Sequence, residues 1–300
     1  MPLIGEYALE GDTLSVIEDD GRLRLLHWHG ASADLRASSS DTLEVVGEGR
    51  RLIFLRTASD RVSSVVVDGN PYPRLTLGAE DGGTFRIEPL RPPDELRAVA
   101  LAASPPAEEG SFLDPDLVQP VALDSSIHLD VRYATTNNFM GEVFYSRALA
   151  FLQRPAAEAL IRAHRWLETR GYGLLIHDAY RPWYVTRMFW DATPESLRVF
   201  VANPSSGSRH NRGAAVDLTL YDRDTGAPVE MPGGYDEFSP RSYPDYPGGT
   251  SRQRWHRELL REAMEREGFT VYEAEWWHFD FDGWQRYRIG NERFEDLLGS

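Results

Sequence analysis

The sequence predicts an α+β chain of two domains, an all-β barrel or sandwich over residues 1–90 and a mixed α and β domain over residues 121–300. Three observations lead there. From Tyr7 to about Leu90, short alternating runs (TLSVIE, RLRLLHW, LEVVG, RLIFLR, SSVVVDG, TFRIE) are broken by Asp-Gly and other glycine-rich turn signals. Between residues 91 and 120, Pro92, Pro93, Pro105 and Pro106 stand with the acidic Glu108-Glu109 pair and Gly110, the composition of a linker. Beyond it, helical spacing alternates with strand-like runs. At 300 residues the chain exceeds the usual size of one domain and has enough side chains for two cores.

The first domain reads as a meander of antiparallel strands. His27 and His29, flanking Trp28, are expected as packing or surface groups. In the second domain Pro155 stands where a helix starts, and Ala159, Leu160, Ala163, Trp166 and Leu167 recur at helical spacing before Gly171. Tyr172 to Ile176 follows as a buried strand ending at His177-Asp178. A second helix is expected from Ser251 to Glu267, with Trp255, Leu259, Leu260 and Met264 inward and Gly268 after its end. Gly268 leads into FTVYEAEWWHFDF, which alternates like a strand.

Composition narrows the chemistry. A formal charge of −15 disfavours binding of nucleic acid through a basic surface, because such binding rests on Lys and Arg neutralising phosphates. A small zwitterion or a cation remains acceptable. With no cysteine, disulfides, thiolate nucleophiles and Cys-type zinc sites are excluded, so any metal must use His and carboxylate ligands. No run approaches the roughly 18 apolar residues that span a bilayer, so no membrane insertion is expected. MPLIGEYALEGD lacks the basic and long apolar regions of a signal peptide, and a cytoplasmic location is expected.

Two places combine histidine and carboxylate: His210 with Asp217 in SRHNRGAAVDLTL, and Glu275 with His278 in EWWH. His210, Asp217 and His278 would supply the three N and O ligands of a catalytic zinc, leaving a fourth position for water. The step from His210 to Asp217 spans more than ~20 Å if extended, so both reach one ion only if the chain turns back, which Gly213 allows cheaply. Glu275 and His278 would point to opposite faces of a regular strand, so a shared site demands a bend or bulge near Trp276. Zinc would lower the pKa of a bound water to about 7, and a glutamate such as Glu275 could take its proton and pass it to a leaving amine. Arg181, in HDAYRPW, is a candidate donor to the developing oxyanion. Each spacing taken alone also fits a bland reading: a Trp pair beside His is commonly core, and Arg181-Pro182 reads as a strand-ending turn with a surface ion pair. Glu273 and Asp280 read as solvated strand-face charges, and His164, His177 and His256 as structural.

At these residues the sequence resembles a known family. SRHNRGAAVDLTL fits the S-x-H-x-x-G-x-A-x-D pattern and EAEWWHF the E-x-x-H partner of the zinc D-Ala-D-Ala dipeptidases, the group of the vancomycin-resistance dipeptidases, related more distantly to zinc D,D-carboxypeptidases. LDVRYATTNNFMG and HDAYRPW look like further blocks of that family, in the same order, over Leu123 to the C-terminus. The resemblance implies helices packed on an antiparallel sheet, one zinc ion on His210, Asp217 and His278, Glu275 as general base and acid, and Arg181 on the tetrahedral intermediate. It also implies Ser208 near the substrate carboxylate and Asp236, with Tyr133, facing the free amino group. Pro232 stands where the family's M-G-x-x-F-D block has glycine. The expected reaction is hydrolysis of free D-alanyl-D-alanine to two D-alanines, the small dipeptide being the partner. A D,D-carboxypeptidase or peptidoglycan endopeptidase, and a metal-free binding module of the same fold, are the alternatives. The N-terminal β domain is a departure from short members of the family.

Overall fold

A computed structural model describes residues 3–27, 32–75 and 84–298. Trp28, His29 and the side chain of His27 lie outside the described residues. The chain divides into two compact units, Met1–Gly82 with Asp245–Trp255, and Gly83–Pro244 with His256–Ser300.

In the first unit, β1 (Gly5–Leu9), β2 (Asp12–Asp19), β3 (Arg22–His27), β4 (Ser32–Ser39), β5 (Thr42–Val45), β6 (Arg51–Arg56), β7 (Val62–Val67) and β8 (Asn70–Pro73) pair antiparallel in sequence order. The meander nearly closes on itself, since Tyr7 bridges Arg74 and the Leu75 N–H donates to the Glu6 carbonyl at 2.8 Å. Alternation fixes the inward face: Leu52 and Phe54 are buried while Ile53 and Leu55 face outward, and Tyr7, Leu14, Leu25, Leu43 and Val65 join the same core. The Glu18 carboxylate accepts the Ser251 N–H at 2.9 Å, satisfying a backbone donor at a helix start. The TFRIE run is not a ninth strand: Phe85 packs on Phe238 and the Ile87 N–H donates to the Phe139 carbonyl, both in the second unit.

The second unit continues with α1 (Pro93–Ala102), β9 (Leu117–Val118), α2 (Pro120–Leu123), β10 (His128–Leu129), β11 (Leu152–Gln153), α3 (Arg154–Glu168), β12 (Tyr172–Asp178) and α4 (Trp183–Ala192). It ends with β13 (Ala215–Asp222), the part of α5 (Ser251–Glu265) from His256 on, β14 (Phe269–Tyr272), β15 (Glu275–Phe281) and α6 (Phe294–Leu297). Residues 91–120, which composition marks as a linker, therefore carry regular structure, and Leu96 and Ala100 of α1 are buried in an aromatic cluster with Tyr133, Phe139 and Phe189. The main sheet runs β10-β12-β13-β15-β14, antiparallel except for the short β10–β12 pair. Thus the chain is α+β, a β unit followed by helices packed on a largely antiparallel sheet. Against this sheet α3 lays Ala156, Leu160, Ala163 and Leu167, all fully buried, and truncating Leu160 to Ala would cost about 2–5 kcal/mol.

Two further sequence expectations change. FTVYEAEWWHFDF forms a hairpin, β14 and β15, rather than one strand. Trp255 is 51% exposed, and the buried position on that turn of α5 is His256, whose Nδ1 lies 3.1 Å from the Glu230 carbonyl. Among the described residues no helix is long and apolar enough to cross a membrane.

Candidate functional site

Three adjacent strands present their chemistry in one row: Asp178 of β12 pairs with Asp217 of β13, which pairs with His278 of β15. His210 comes from the turn before β13. Gly213 makes that turn possible at φ 65°, a left-handed conformation in which a side chain would also run into Leu117. The bend demanded for Glu275 and His278 is present too: Val271 pairs with Phe279 but Tyr272 with Glu275, so β15 bulges between them.

The result is a tight triangle of donor atoms. His210 Nε2 lies 3.0 Å from His278 Nδ1, and Asp217 Oδ1 lies 3.0 Å from His278 Nδ1 and 3.2 Å from His210 Nε2. These three residues are buried and form the candidate metal group among the described residues. A tetrahedral ion with bonds of about 2.0–2.2 Å needs donors roughly 3.3–3.6 Å apart, so the triangle fits a zinc-sized ion after opening by a few tenths of an ångström. The outer nitrogens settle the tautomers. His210 Nδ1–H donates to the Ala179 carbonyl at 2.6 Å and His278 Nε2–H to Asp280 Oδ1 at 2.9 Å, which turns both inner lone pairs toward the same point. Two facing lone pairs beside a carboxylate call for a proton or a cation between them.

The electrostatics agree. Burial opposes a charge on His278, yet its bonds to Asp217 and Asp280 outweigh burial and push it up to about 10. Burial likewise opposes the Asp217 carboxylate, but His210 and His278 hold it well below the usual carboxylate range. Glu275 is raised to about 8, first by burial and then by the charges of Asp217 and Asp236; its Oε2 lies 3.8 Å from His278 Nδ1.

Arg181 is buried, not a surface ion-pair residue: its Nε donates to Asp178 Oδ2 at 2.8 Å, Nη2 stands 3.5 Å from Asp217 Oδ2, and its guanidinium lies over the Tyr133 and Phe189 rings. Tyr133 donates to Asp236 Oδ2 at 2.8 Å. Asp236 holds a left-handed φ of 55° and is pushed up to about 8 by burial and by the charge of Asp217. In the same loop the Pro232 carbonyl accepts the Arg241 Nε–H at 3.0 Å. Ser208 is buried with its hydroxyl accepting the His210 N–H at 3.2 Å. Tyr133, Arg181, Ser208, His210, Asp217, Asp236, Glu275 and His278 all line one cavity of about 90 Å³. All eight candidate site residues thus come together.

Sequence reasoning missed four residues here. Asp178 anchors Arg181, Tyr145 donates to Asp178 Oδ1 at 2.8 Å, and Tyr235 donates to Asp217 Oδ2 at 3.1 Å. Asp280, expected as a solvated charge, instead orients His278. Period-two alternation could have revealed it, since residues two apart on a strand share a face. His164 and His177 have structural partners, Ser126 with the Leu174 N–H and the Asp130 carbonyl respectively.

The model of one protein family, D-Ala-D-Ala dipeptidase (peptidase M15), matches residues 115–295. The chain belongs to the D-Ala-D-Ala dipeptidase family. It is 32% identical over 183 residues to the D-alanyl-D-alanine dipeptidase of Escherichia coli K12, covering 61% of this chain and 93% of the relative. It is 35% identical over 181 residues to that of Enterococcus faecium, covering 52% of this chain and 88% of the relative. With that of Streptomyces coelicolor the identity is 35% over 175 residues, covering 52% and 87%. As a member of this metallopeptidase family the chain is a hydrolase, and the matched span holds every residue of the cavity wall described above.

Proposed function

We propose that the chain is a zinc-dependent dipeptidase that hydrolyses free D-alanyl-D-alanine to two D-alanines. The observation that carries this reading is the buried triangle of His210, Asp217 and His278 in a cavity that also holds the Tyr133–Asp236 pair. Zinc at the triangle would supply Lewis acidity, activating a water and polarising the scissile carbonyl. Glu275, beside His278, takes the proton of the attacking water and returns it to the leaving amine. Arg181, fixed by Asp178, faces the oxyanion with a permanent charge. Asp236 accepts the free ammonium of the substrate, with the Tyr133 hydroxyl holding the carboxylate in place. Ser208 donates toward the substrate carboxylate. The names of the relatives support the same substrate.

A panel of D-Ala-D-Ala and N-acetyl-D-Ala-D-Ala, assayed with the zinc-loaded chain and Glu275→Gln, tests the proposal. Cleavage of the free dipeptide alone, lost in Glu275→Gln with zinc retained, is expected. Cleavage of the acylated form would instead make it a carboxypeptidase, and zinc-free chain with no activity a binding module.

A further inference from the structure

A zwitterionic dipeptide brings one positive and one negative end, and the site described so far answers the negative end only with a hydroxyl. Two arginines line the cavity, Arg181 and Arg209. Arg181 is committed: it is 8% exposed, bonded to Asp178, set against Asp217 and enclosed by two aromatic rings. Arg209 is not. Its side chain is 41% exposed, its Nε stands 3.3 Å from Asp280 Oδ2, and its guanidinium lies 4.9 Å from the Trp284 ring centre. Among the described residues it makes no second ion pair, so its terminal nitrogens remain available to a ligand.

We infer that Arg209 is the specificity-determining residue that binds the free C-terminal carboxylate of the dipeptide, an inference that rests on the dipeptidase reading above. Three points favour it. First, Arg209 adjoins Ser208 in sequence and shares the cavity wall with Tyr272 and Glu275, so a carboxylate held there sits beside the reacting centre. Second, the fork of a guanidinium gives a carboxylate paired, charge-assisted hydrogen bonds about twice as strong as the neutral one from a serine hydroxyl. Third, a chain of net charge −15 repels a carboxylate at long range, so retention of that group needs a local cation, and Asp280 with Trp284 holds this one in position. Asp236 and Arg209 then give the cavity one acidic and one basic recognition group for the two ends of a single zwitterion.

The test compares D-alanyl-D-alanine with D-alanyl-D-alaninamide, which lacks the terminal charge, in the zinc-loaded wild type, Arg209→Gln and Arg209→Lys. Arg209→Gln is expected to raise KM for the acid about tenfold or more with kcat little changed, and to shrink the preference for acid over amide by the same factor. Arg209→Lys is expected to recover part of that preference. An unchanged acid-to-amide ratio in Arg209→Gln, or an equal loss on both substrates, would overturn the inference and leave Arg209 a structural partner of Asp280. Zinc content measured on each variant separates damage to the neighbouring His210. The dipeptidase reading fails separately: if the wild type cleaves N-acetyl-D-Ala-D-Ala instead of the free dipeptide, the same acid-to-amide comparison is made on the N-acetyl pair. If neither is cleaved, calorimetric dissociation constants for acid and amide decide, and equal constants overturn the inference.

Discussion

Asp178 and Arg181 are joined by a buried ion pair, Nε to Oδ2 at 2.8 Å, and the far oxygen of Asp178 is taken up by the Tyr145 hydroxyl at the same distance. Each oxygen of the carboxylate therefore has a partner, and the arginine is aimed by a group that is itself anchored. Weakening that clamp should act on turnover through Arg181. Asp178→Asn is expected to lower kcat about tenfold or more while zinc content holds, because a misplaced oxyanion donor costs up to about 10²–10³ when lost outright. Tyr145→Phe should give a smaller loss. Steady-state kinetics with metal analysis checks this, and full kcat in Asp178→Asn would remove the positioning role.

Asp236 offers a second test, since its left-handed backbone makes the choice of substitution matter. Asn tolerates that conformation, whereas Ala is strained there. Asp236→Asn is expected to stay folded, raise KM for the free dipeptide about tenfold and leave the metal bound. An unchanged KM would show that the ammonium is read elsewhere.

Gly213 links the backbone to the proposed metal site. Gly213→Ala places a Cβ against Leu117 at a φ of 65°, so it is expected to cost about 1–3 kcal/mol and to loosen His210. Denaturant unfolding and a zinc-chelator titration should both report weakening. A variant as stable as the wild type would mean that the turn has an alternative path.

His164 gives a pH dependence away from the site. It is fully buried and held neutral: burial lowers its pKa from 6.5, outweighing the pull of Glu168 and Asp124, and its Nδ1 accepts the Leu174 N–H at 3.1 Å. The unfolded chain takes up this proton first, so stability from His164 is present above pH 6.5 and is lost as pH falls below it. Replacing His164 with Gln is expected to flatten the fall in midpoint denaturant concentration below pH 6.5. An unaltered slope would place the acid sensitivity in other groups.

These outcomes bear on what the chain discloses before it is folded. His210, Asp217, Glu275 and His278 were legible because residue types that bind metal or move protons stand at fixed spacings around Gly213 and in EWWH. The helix α3 was legible because its apolar residues form one stripe. By contrast α4 was hidden, since Trp183, Tyr184, Val185, Thr186, Met188 and Phe189 are all buried and only Arg187, Trp190 and Asp191 form a half-buried edge, too narrow over ten residues to mark a period. Tyr145 was hidden for another reason: it lies in an irregular stretch 33 residues before Asp178, and nothing local in sequence announces a contact made only by folding. The β14–β15 hairpin was misread as one strand because its turn, at Glu273-Ala274, carries no Gly, Pro, Asn or Asp, and Phe269, Val271, Trp277, Phe279 and Phe281 fall on one period-two register on either side of it.

Zinc stoichiometry is the most direct measurement of the central claim. Elemental analysis of purified chain is predicted to give one zinc per molecule, with His210→Ala and His278→Ala each losing it and Glu275→Gln keeping it. Full zinc in His210→Ala, or a wild type that takes up none from excess zinc, would contradict the account.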